Sequence, residues 1–131
     1  MIKYDEIKKI IKIIEECSVI ALTFYKQKHL EVSIKDDNSP VTKADLEISR
    51  IATNKLSEMF PNDKIISEEN ITNLNEFDMM KYWLIDPIDV TKEYITKIGF
   101  FTINFALISN NKHFIVIICQ QTTSSINFNN N

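Results

Sequence analysis

The chain has 131 residues, a formal net charge of −3 and 44% hydrophobic residues, which predicts one domain with a buried core and argues against two domains. This mild acidity gives no support for broad binding to nucleic acid or to an anionic membrane surface. Cys17 and Cys119 lie far apart and outside any Cys/His cluster, so they predict neither a disulfide framework nor a zinc site. The single glycine, Gly99, means that turns with positive φ must use Asn or Asp.

The cellular location is predicted from what the sequence lacks. No run reaches the roughly 18 consecutive apolar residues of a membrane-spanning helix. A signal peptide begins with basic residues and continues with an apolar run. The chain begins instead with Met-Ile-Lys-Tyr-Asp-Glu, which has two acids among its first six residues. The sequence therefore predicts a cytoplasmic protein without a transmembrane segment, and peripheral association with the inner face of the cell membrane is kept as an alternative.

Two helices are predicted in the N-terminal half. Residues 4–27 carry apolar side chains at three- and four-residue spacing, which is typical of a helix with one buried face. A second helix should begin near Thr42, because Thr42 and Asp45 have the spacing of a capping box, and Pro61 should end it. Between the helices, the turn-forming residues 36–40 predict a loop.

Short apolar runs bounded by turn residues predict four strands in the rest of the chain. They cover residues 64–67, 82–85, 101–109 and 113–120. The last two should form a hairpin through residues 110–112, one or two helical turns should occur within 89–96, and the polar tail 121–131 should be disordered. The sequence thus predicts an α+β domain over residues 1–120, with two long helices packed on a mostly antiparallel sheet.

Acidic residues follow two of the predicted strands. Glu68-Glu69 follows the first strand and Asp86-Pro-Ile-Asp89 follows the second. Carboxylates that converge in this way stay ionised only beside cations, and ligand sets made of oxygen suit Mg²⁺ or Ca²⁺. Thr91 comes at an expected helix start, where free N–H groups favour phosphate. Together these residues indicate metal-assisted hydrolysis of a phosphate ester.

A purely structural interpretation of the same residues stays open. An Asp before a helix usually caps it, and paired acids after a strand are usually solvated turn residues. Thr42 and Asp45, taken alone, favour a helix cap over a catalytic site.

Four ordered motifs resemble the inositol monophosphatase superfamily over roughly residues 4–118. They are Asn-Ser-Pro-Val-Thr-Lys-Ala-Asp at 38–45, Ser-Glu-Glu at 67–69, Trp-Leu-Ile-Asp-Pro-Ile-Asp-Val-Thr-Lys-Glu-Tyr-Ile at 83–95 and Phe-Thr-Ile-Asn-Phe-Ala-Leu-Ile at 101–108. Within the superfamily, Thr-Lys-Glu-Tyr-Ile resembles the CysQ-type 3′(2′),5′-bisphosphate nucleotidases. The resemblance implies the N-terminal half of the layered α/β sandwich of these sugar-phosphatase-like proteins.

The resemblance also implies an activity and the residues that carry it. The activity is Mg²⁺-dependent, lithium-sensitive hydrolysis of 3′-phosphoadenosine 5′-phosphate to AMP and phosphate, in sulfur assimilation and nucleotide clearance. Members of the family use two or three Mg²⁺ ions. The implied metal ligands are Glu68, Asp86, the carbonyl of Ile88 and Asp89; the implied catalytic residues are Glu68, Thr91 and Asp45; and the substrate phosphate would lie at Val90 and Thr91.

Two departures from the family pattern bear on this activity. Val90 stands where the family has a glycine that lets the backbone approach the phosphate, and a β-branched residue poorly tolerates positive φ. The chain also lacks the Trp-Asp-x-Ala-type motif of the family's C-terminal half, so the expectation is an N-terminal domain with impaired or no activity. Two alternatives stay open: a non-catalytic remnant that binds metal, forms a homodimer or pairs with a separate C-terminal half, and a phosphatase for inositol or sugar phosphates.

Overall fold

The fold is that of a computed structural model, which describes most of the chain. The described residues are 2–25, 32–34, 40–70, 81–89, 101–110, 112–120 and 126–130. The predicted loop at 36–40 lies outside them except for its last residue, and the predicted helical turns within 89–96 lie outside them except for Asp89.

The described part of the chain contains two long helices, a separate hairpin and one larger sheet. The helices are α1 (Tyr4–Tyr25) and α2 (Lys43–Met59), and a 3-10 turn covers Glu68–Asn70. The strands are β1 (Val32–Ile34), β2 (Pro40–Thr42), β3 (Lys64–Ser67), β4 (Lys81–Asp89), β5 (Thr102–Ser109), β6 (Lys112–Gln120) and β7 (Ile126–Asn130). Neither helix is long and apolar enough to cross a membrane.

Both helices bury one stripe of small and apolar side chains. In α2 the stripe recurs every fourth residue, which keeps it on one face of the helix. Its fully buried members are Ala44, Ile48, Ala52 and Leu56. In α1 the corresponding residues are Ile10, Ile14, Cys17 and Ala21. The two helices also meet at the surface, where the ammonium of Lys55 donates to the carboxylate of Glu16.

The larger sheet has the strand order β3-β4-β5-β6-β7. The β3–β4 pair is parallel, and the other three pairs are antiparallel. This confirms the predicted α+β class and the mostly antiparallel sheet. The β5–β6 hairpin is also confirmed: it turns at Asn110, which has a φ of 50°, so an asparagine supplies the positive φ that glycine usually provides.

The core lies between the helices and one face of the sheet. Its largest members are Trp83, Phe101 and Phe105, all of them almost completely buried. The Trp83 ring stacks on Phe60 with centroids 5.2 Å apart, and its indole Nε1 donates to Asp63 Oδ2 at 3.3 Å. Aromatic stacking and a partner for the indole N–H are what a buried tryptophan requires.

Two parts of the structure differ from the predictions. The predicted disorder of 121–131 is wrong for Ile126–Asn130, which pairs as β7 with β6, because the edge of β6 offers unsatisfied backbone groups to a segment that alternates apolar and polar residues. Residues 121–125 and 131 lie outside the described part. The predicted strand 82–85 is too short, because β4 continues through Asp89.

Candidate metal centre

Two of the predicted ligands follow the paired part of β3 and β4. The strands are parallel, and Ser67 pairs with Ile85. The next residue on each strand is therefore Glu68 on one side and Asp86 on the other. Each acid therefore comes one residue after the last β3–β4 pair, at the same edge of the sheet.

A β-bulge separates Asp86 from Asp89. Asp86 pairs with Asn104 of β5, whereas Asp89 pairs with Thr102. Three steps along β4 thus match two steps along β5, which leaves one extra residue on β4. Pro87 lies within this interval, and its missing N–H suits a position where the ladder of hydrogen bonds is interrupted.

The bulge decides which positions of β4 share a face. Residues three apart on a regular strand lie on opposite faces. Asp86 and Asp89 are instead opposite Asn104 and Thr102, which are two apart on β5 and so belong to the same face. The extra residue therefore brings the positions of both aspartates to one side of the sheet.

Asp86 lies on the face that points away from the helices. In β4, Trp83 and Ile85 are buried against the helices. Because successive side chains of a strand alternate between the two faces, Asp86, the next residue after Ile85, lies on the other face. The residue is half-buried, and its Oδ1 is inaccessible to solvent. Glu68 is exposed at the start of the 3-10 turn.

Several of the predicted site residues can be located only in part. Ile88 is buried at the end of β4, and Asp89 is described in its backbone pairing alone. Val90 and Thr91 lie outside the described residues. Among the side chains that the structure does describe, no three His, Cys, Asp or Glu residues are grouped as a metal site. The metal-binding and catalytic roles therefore remain predictions.

Asp45 forms the predicted capping box at the start of α2. Its Oδ2 accepts from the Thr42 backbone N–H at 2.7 Å and from the Thr42 hydroxyl at 2.6 Å, while the Thr42 Oγ1 accepts from the Asp45 N–H at 3.3 Å. Thr42 is 1% exposed and Asp45 is 0% exposed. The cap interpretation is confirmed, and the carboxylate is held rigidly by charge-assisted hydrogen bonds.

Replacing Thr42 should weaken this cap measurably. We expect Thr42→Ala to lower the free energy of unfolding by about 2 kcal/mol, because it removes an N-cap and a hydroxyl donor to a buried carboxylate. Thr42→Ser keeps the hydroxyl and should lose less than half as much. Urea denaturation followed by circular dichroism measures both values, and equal losses in the two variants would contradict the role of the hydroxyl.

Other acids have structural partners away from this edge. Asp63, just before β3, forms an ion pair with Lys81 at 3.1 Å and accepts from Trp83. On the exposed side of α2, Arg50 donates to Glu47 at 2.6 Å, and this hydrogen bond lowers the pKa of Glu47. Such exposed pairs contribute little to stability, and neither acid belongs to the candidate metal centre.

Sequence reasoning missed Asn104, the residue paired with Asp86. The signal was present as one amide side chain in the middle of the apolar run Phe-Thr-Ile-Asn-Phe-Ala-Leu-Ile. Only the pairing of β4 with β5 shows that this amide lies opposite a candidate ligand.

Comparison with known proteins identifies the family to which the chain belongs. The model of the inositol monophosphatase family matches residues 3–128. The chain belongs to the inositol monophosphatase family. This confirms the resemblance that the four sequence motifs carry.

Curated relatives in this family include bisphosphate nucleotidases. The chain is 41% identical over 97 residues to the 3′(2′),5′-bisphosphate nucleotidase CysQ of Haemophilus influenzae, covering 72% of this chain and 36% of that protein. It is 37% identical over 92 residues to the CysQ of Escherichia coli, covering 70% and 37% respectively. The chain thus spans less than half the length of these relatives.

Solved structures share the fold. An IMPase of Thermotoga maritima superposes with a TM-score of 0.82 at 21% identity, covering 96% of this chain and 48% of that one. CysQ of Bacteroides thetaiotaomicron, described as a bacterial member of the inositol monophosphatase family, superposes with a TM-score of 0.74 at 27% identity, covering 92% and 44%. The predicted half-fold, two helices on a mostly antiparallel sheet, is therefore confirmed.

Proposed function

We propose that this chain carries the metal-binding half of a Mg²⁺-dependent phosphatase that hydrolyses 3′-phosphoadenosine 5′-phosphate to AMP and phosphate. The observation that carries the proposal is the register of the β3–β4 pair, which ends one residue before Glu68 and Asp86, in a chain whose curated relatives are named bisphosphate nucleotidases. The reaction would take place in the cytoplasm, as part of sulfur assimilation or nucleotide clearance.

The residues at the sheet edge fit a hard cation. The proposed ligands are all oxygen donors: the carboxylates of Glu68, Asp86 and Asp89 and the carbonyl of Ile88. Such a set suits Mg²⁺, and the inaccessible Oδ1 of Asp86 gives the site a partly desolvated anion. When bound there, Mg²⁺ would stabilise charge on the phosphate and lower the pKa of a coordinated water.

Other residues of the chain would place the reactants. In the proposed arrangement Thr91 orients the attacking water, and Asp45 orients Thr91 through a hydrogen bond. The rigid, buried Asp45 carboxylate suits a residue that must keep another group in position. The backbone at Val90 and Thr91 would meet the substrate phosphate, and the valine side chain is expected to slow the reaction because it crowds that approach.

The assignment can be tested by measuring phosphate release. The purified chain is incubated with 3′-phosphoadenosine 5′-phosphate, with and without Mg²⁺, beside the Glu68→Gln and Glu69→Gln variants. We expect slow release that requires Mg²⁺, is lost in Glu68→Gln and persists in Glu69→Gln, because only Glu68 is the proposed ligand. Equal rates in the wild-type chain and Glu68→Gln would contradict the assignment.

A phosphatase for inositol or sugar phosphates is the alternative within the same chemistry. The Thr-Lys-Glu-Tyr-Ile sequence at 91–95 favours the nucleotide. The same assay with inositol monophosphate as substrate separates the two, since the nucleotide should be hydrolysed faster.

A non-catalytic role with a partner chain is favoured by the second face of the sheet. Leu84, Ala106 and Val116 lie on the face opposite the helices and are only partly buried. A second copy of the chain or a separately encoded C-terminal half could cover these apolar side chains. Size-exclusion chromatography distinguishes a dimer or a complex from a monomer.

A further inference from the structure

Asn104 lies in the sheet directly opposite Asp86. The two residues are an antiparallel pair between β4 and β5, and side chains that face each other in this way have Cβ atoms about 5 Å apart. Both residues belong to the face that points away from the helices, because their neighbours Ile85, Ile103 and Phe105 are buried against the helices. The Asn104 amide is therefore the side chain from β5 that is placed nearest to the Asp86 carboxylate.

The Oδ1 of Asn104 is buried and has no hydrogen-bond partner among the described residues. A buried acceptor without a donor destabilises a fold, and buried polar groups in folded proteins are normally paired. An apolar residue would fit the surroundings, since Ala106 and its partner Leu84 lie on the same face of the sheet. The amide is thus out of place unless another group donates to it.

We propose that Asn104 is a positioning residue of the metal centre, whose Oδ1 accepts a hydrogen bond from a water molecule that Mg²⁺ holds beside Asp86. Mg²⁺ keeps several of its waters when it binds to proteins, and such waters are donors. Residues that hold the ligands of a metal from outside often determine its affinity. The inference rests on the proposed function, because it needs the cation at Asp86.

The test compares Mg²⁺ binding in matched variants of the whole chain. Asn104→Leu keeps the branching at Cγ without the polar atoms, and Asn104→Val is a smaller replacement that suits a strand. Thr53→Val is the control, because Thr53 Oγ1 in α2 is also buried without a partner among the described residues but belongs to no proposed site. Binding is followed by isothermal titration with Mg²⁺ alone, and stability by thermal unfolding without Mg²⁺.

In both Asn104 variants, the Mg²⁺ concentration at half-saturation should rise about 10- to 100-fold. Their thermal stability without Mg²⁺ should stay the same or increase, because an unsatisfied polar group is removed. Thr53→Val should keep the wild-type Mg²⁺ affinity.

Three results would overturn the inference, and they can be told apart. Unchanged Mg²⁺ affinity in the Asn104 variants rejects the role of Asn104 and leaves the metal centre intact. If Thr53→Val weakens Mg²⁺ binding as much as the Asn104 variants do, the loss of affinity comes from a general change in stability and not from Asn104. A wild-type chain that does not bind Mg²⁺ rejects the metal centre and the inference together.

Discussion

Asp86→Asn is expected to abolish Mg²⁺ binding and, with it, phosphate release. Asp86 follows the last β3–β4 pair, as the proposed ligand Glu68 does, and it begins the bulge that leads to Asp89, so it lies at the centre of the proposed ligand set. Asparagine keeps the shape and removes the charge. Because a bound metal ion contributes several kcal/mol to catalysis and each 1.4 kcal/mol is a factor of ten in rate, the rate should fall by at least about a thousandfold.

The measurement is isothermal titration with Mg²⁺ together with the phosphate-release assay. Asp63→Asn is the matched control, since it also neutralises an aspartate but lies just before β3, where it pairs with Lys81. It should keep Mg²⁺ binding and lose a little stability. Normal Mg²⁺ binding by Asp86→Asn, or its loss in Asp63→Asn, would contradict the location of the metal centre.

Trp83→Ala should have the largest effect on folding, lowering the free energy of unfolding by about 3–5 kcal/mol. Trp83 is completely buried in the strand beside β3, where it stacks on Phe60 and donates to Asp63. Truncation leaves a cavity at the centre of the core and a carboxylate without its indole donor. Since domains are stable by only about 5–15 kcal/mol, this variant should be partly unfolded at room temperature.

Urea denaturation is best followed by circular dichroism, because Trp83 is the only tryptophan in the chain and its removal eliminates the fluorescence signal. Trp83→Phe keeps a ring against Phe60 and should lose only about 1–2 kcal/mol. Tyr4→Ala removes an aromatic ring that is 71% exposed and should change stability by no more than about 0.5 kcal/mol. A Trp83→Ala variant as stable as Tyr4→Ala would contradict this account of the core.

The sequence predicted the elements that have a clear local signal. Both helices, the Thr42 cap and strand β3 follow from periodicity, capping chemistry and turn residues. The β1–β2 hairpin was not predicted, because each strand has only three residues and alternation needs a longer run to be visible. The strand β7 was missed for another reason: its polar composition indicates disorder, and only pairing with the edge of β6 stabilises it.

The candidate site also contains residues that the sequence revealed and one that it did not. The acids at Glu68, Asp86 and Asp89 stand out in the sequence because they follow apolar runs, and the motifs around them identify the family. Asn104 does not stand out, because a single amide in a strand has no meaning until its neighbour across the sheet is known. Strand pairing is a contact between distant parts of the chain, and local propensity does not determine it.

By itself, the sequence determined the fold class, the family and which residue types could bind a cation, because these depend on composition, periodicity and the order of motifs along the chain. The tertiary structure alone decided which strand positions lie side by side. The parallel register of β3 and β4 ends one residue before Glu68 and Asp86, and one extra residue in β4 brings the positions of Asp86 and Asp89 to the same face. The physical reason is that alternation along an isolated strand would put residues three apart on opposite faces, and only the hydrogen bonds to β5 reveal the bulge that changes this.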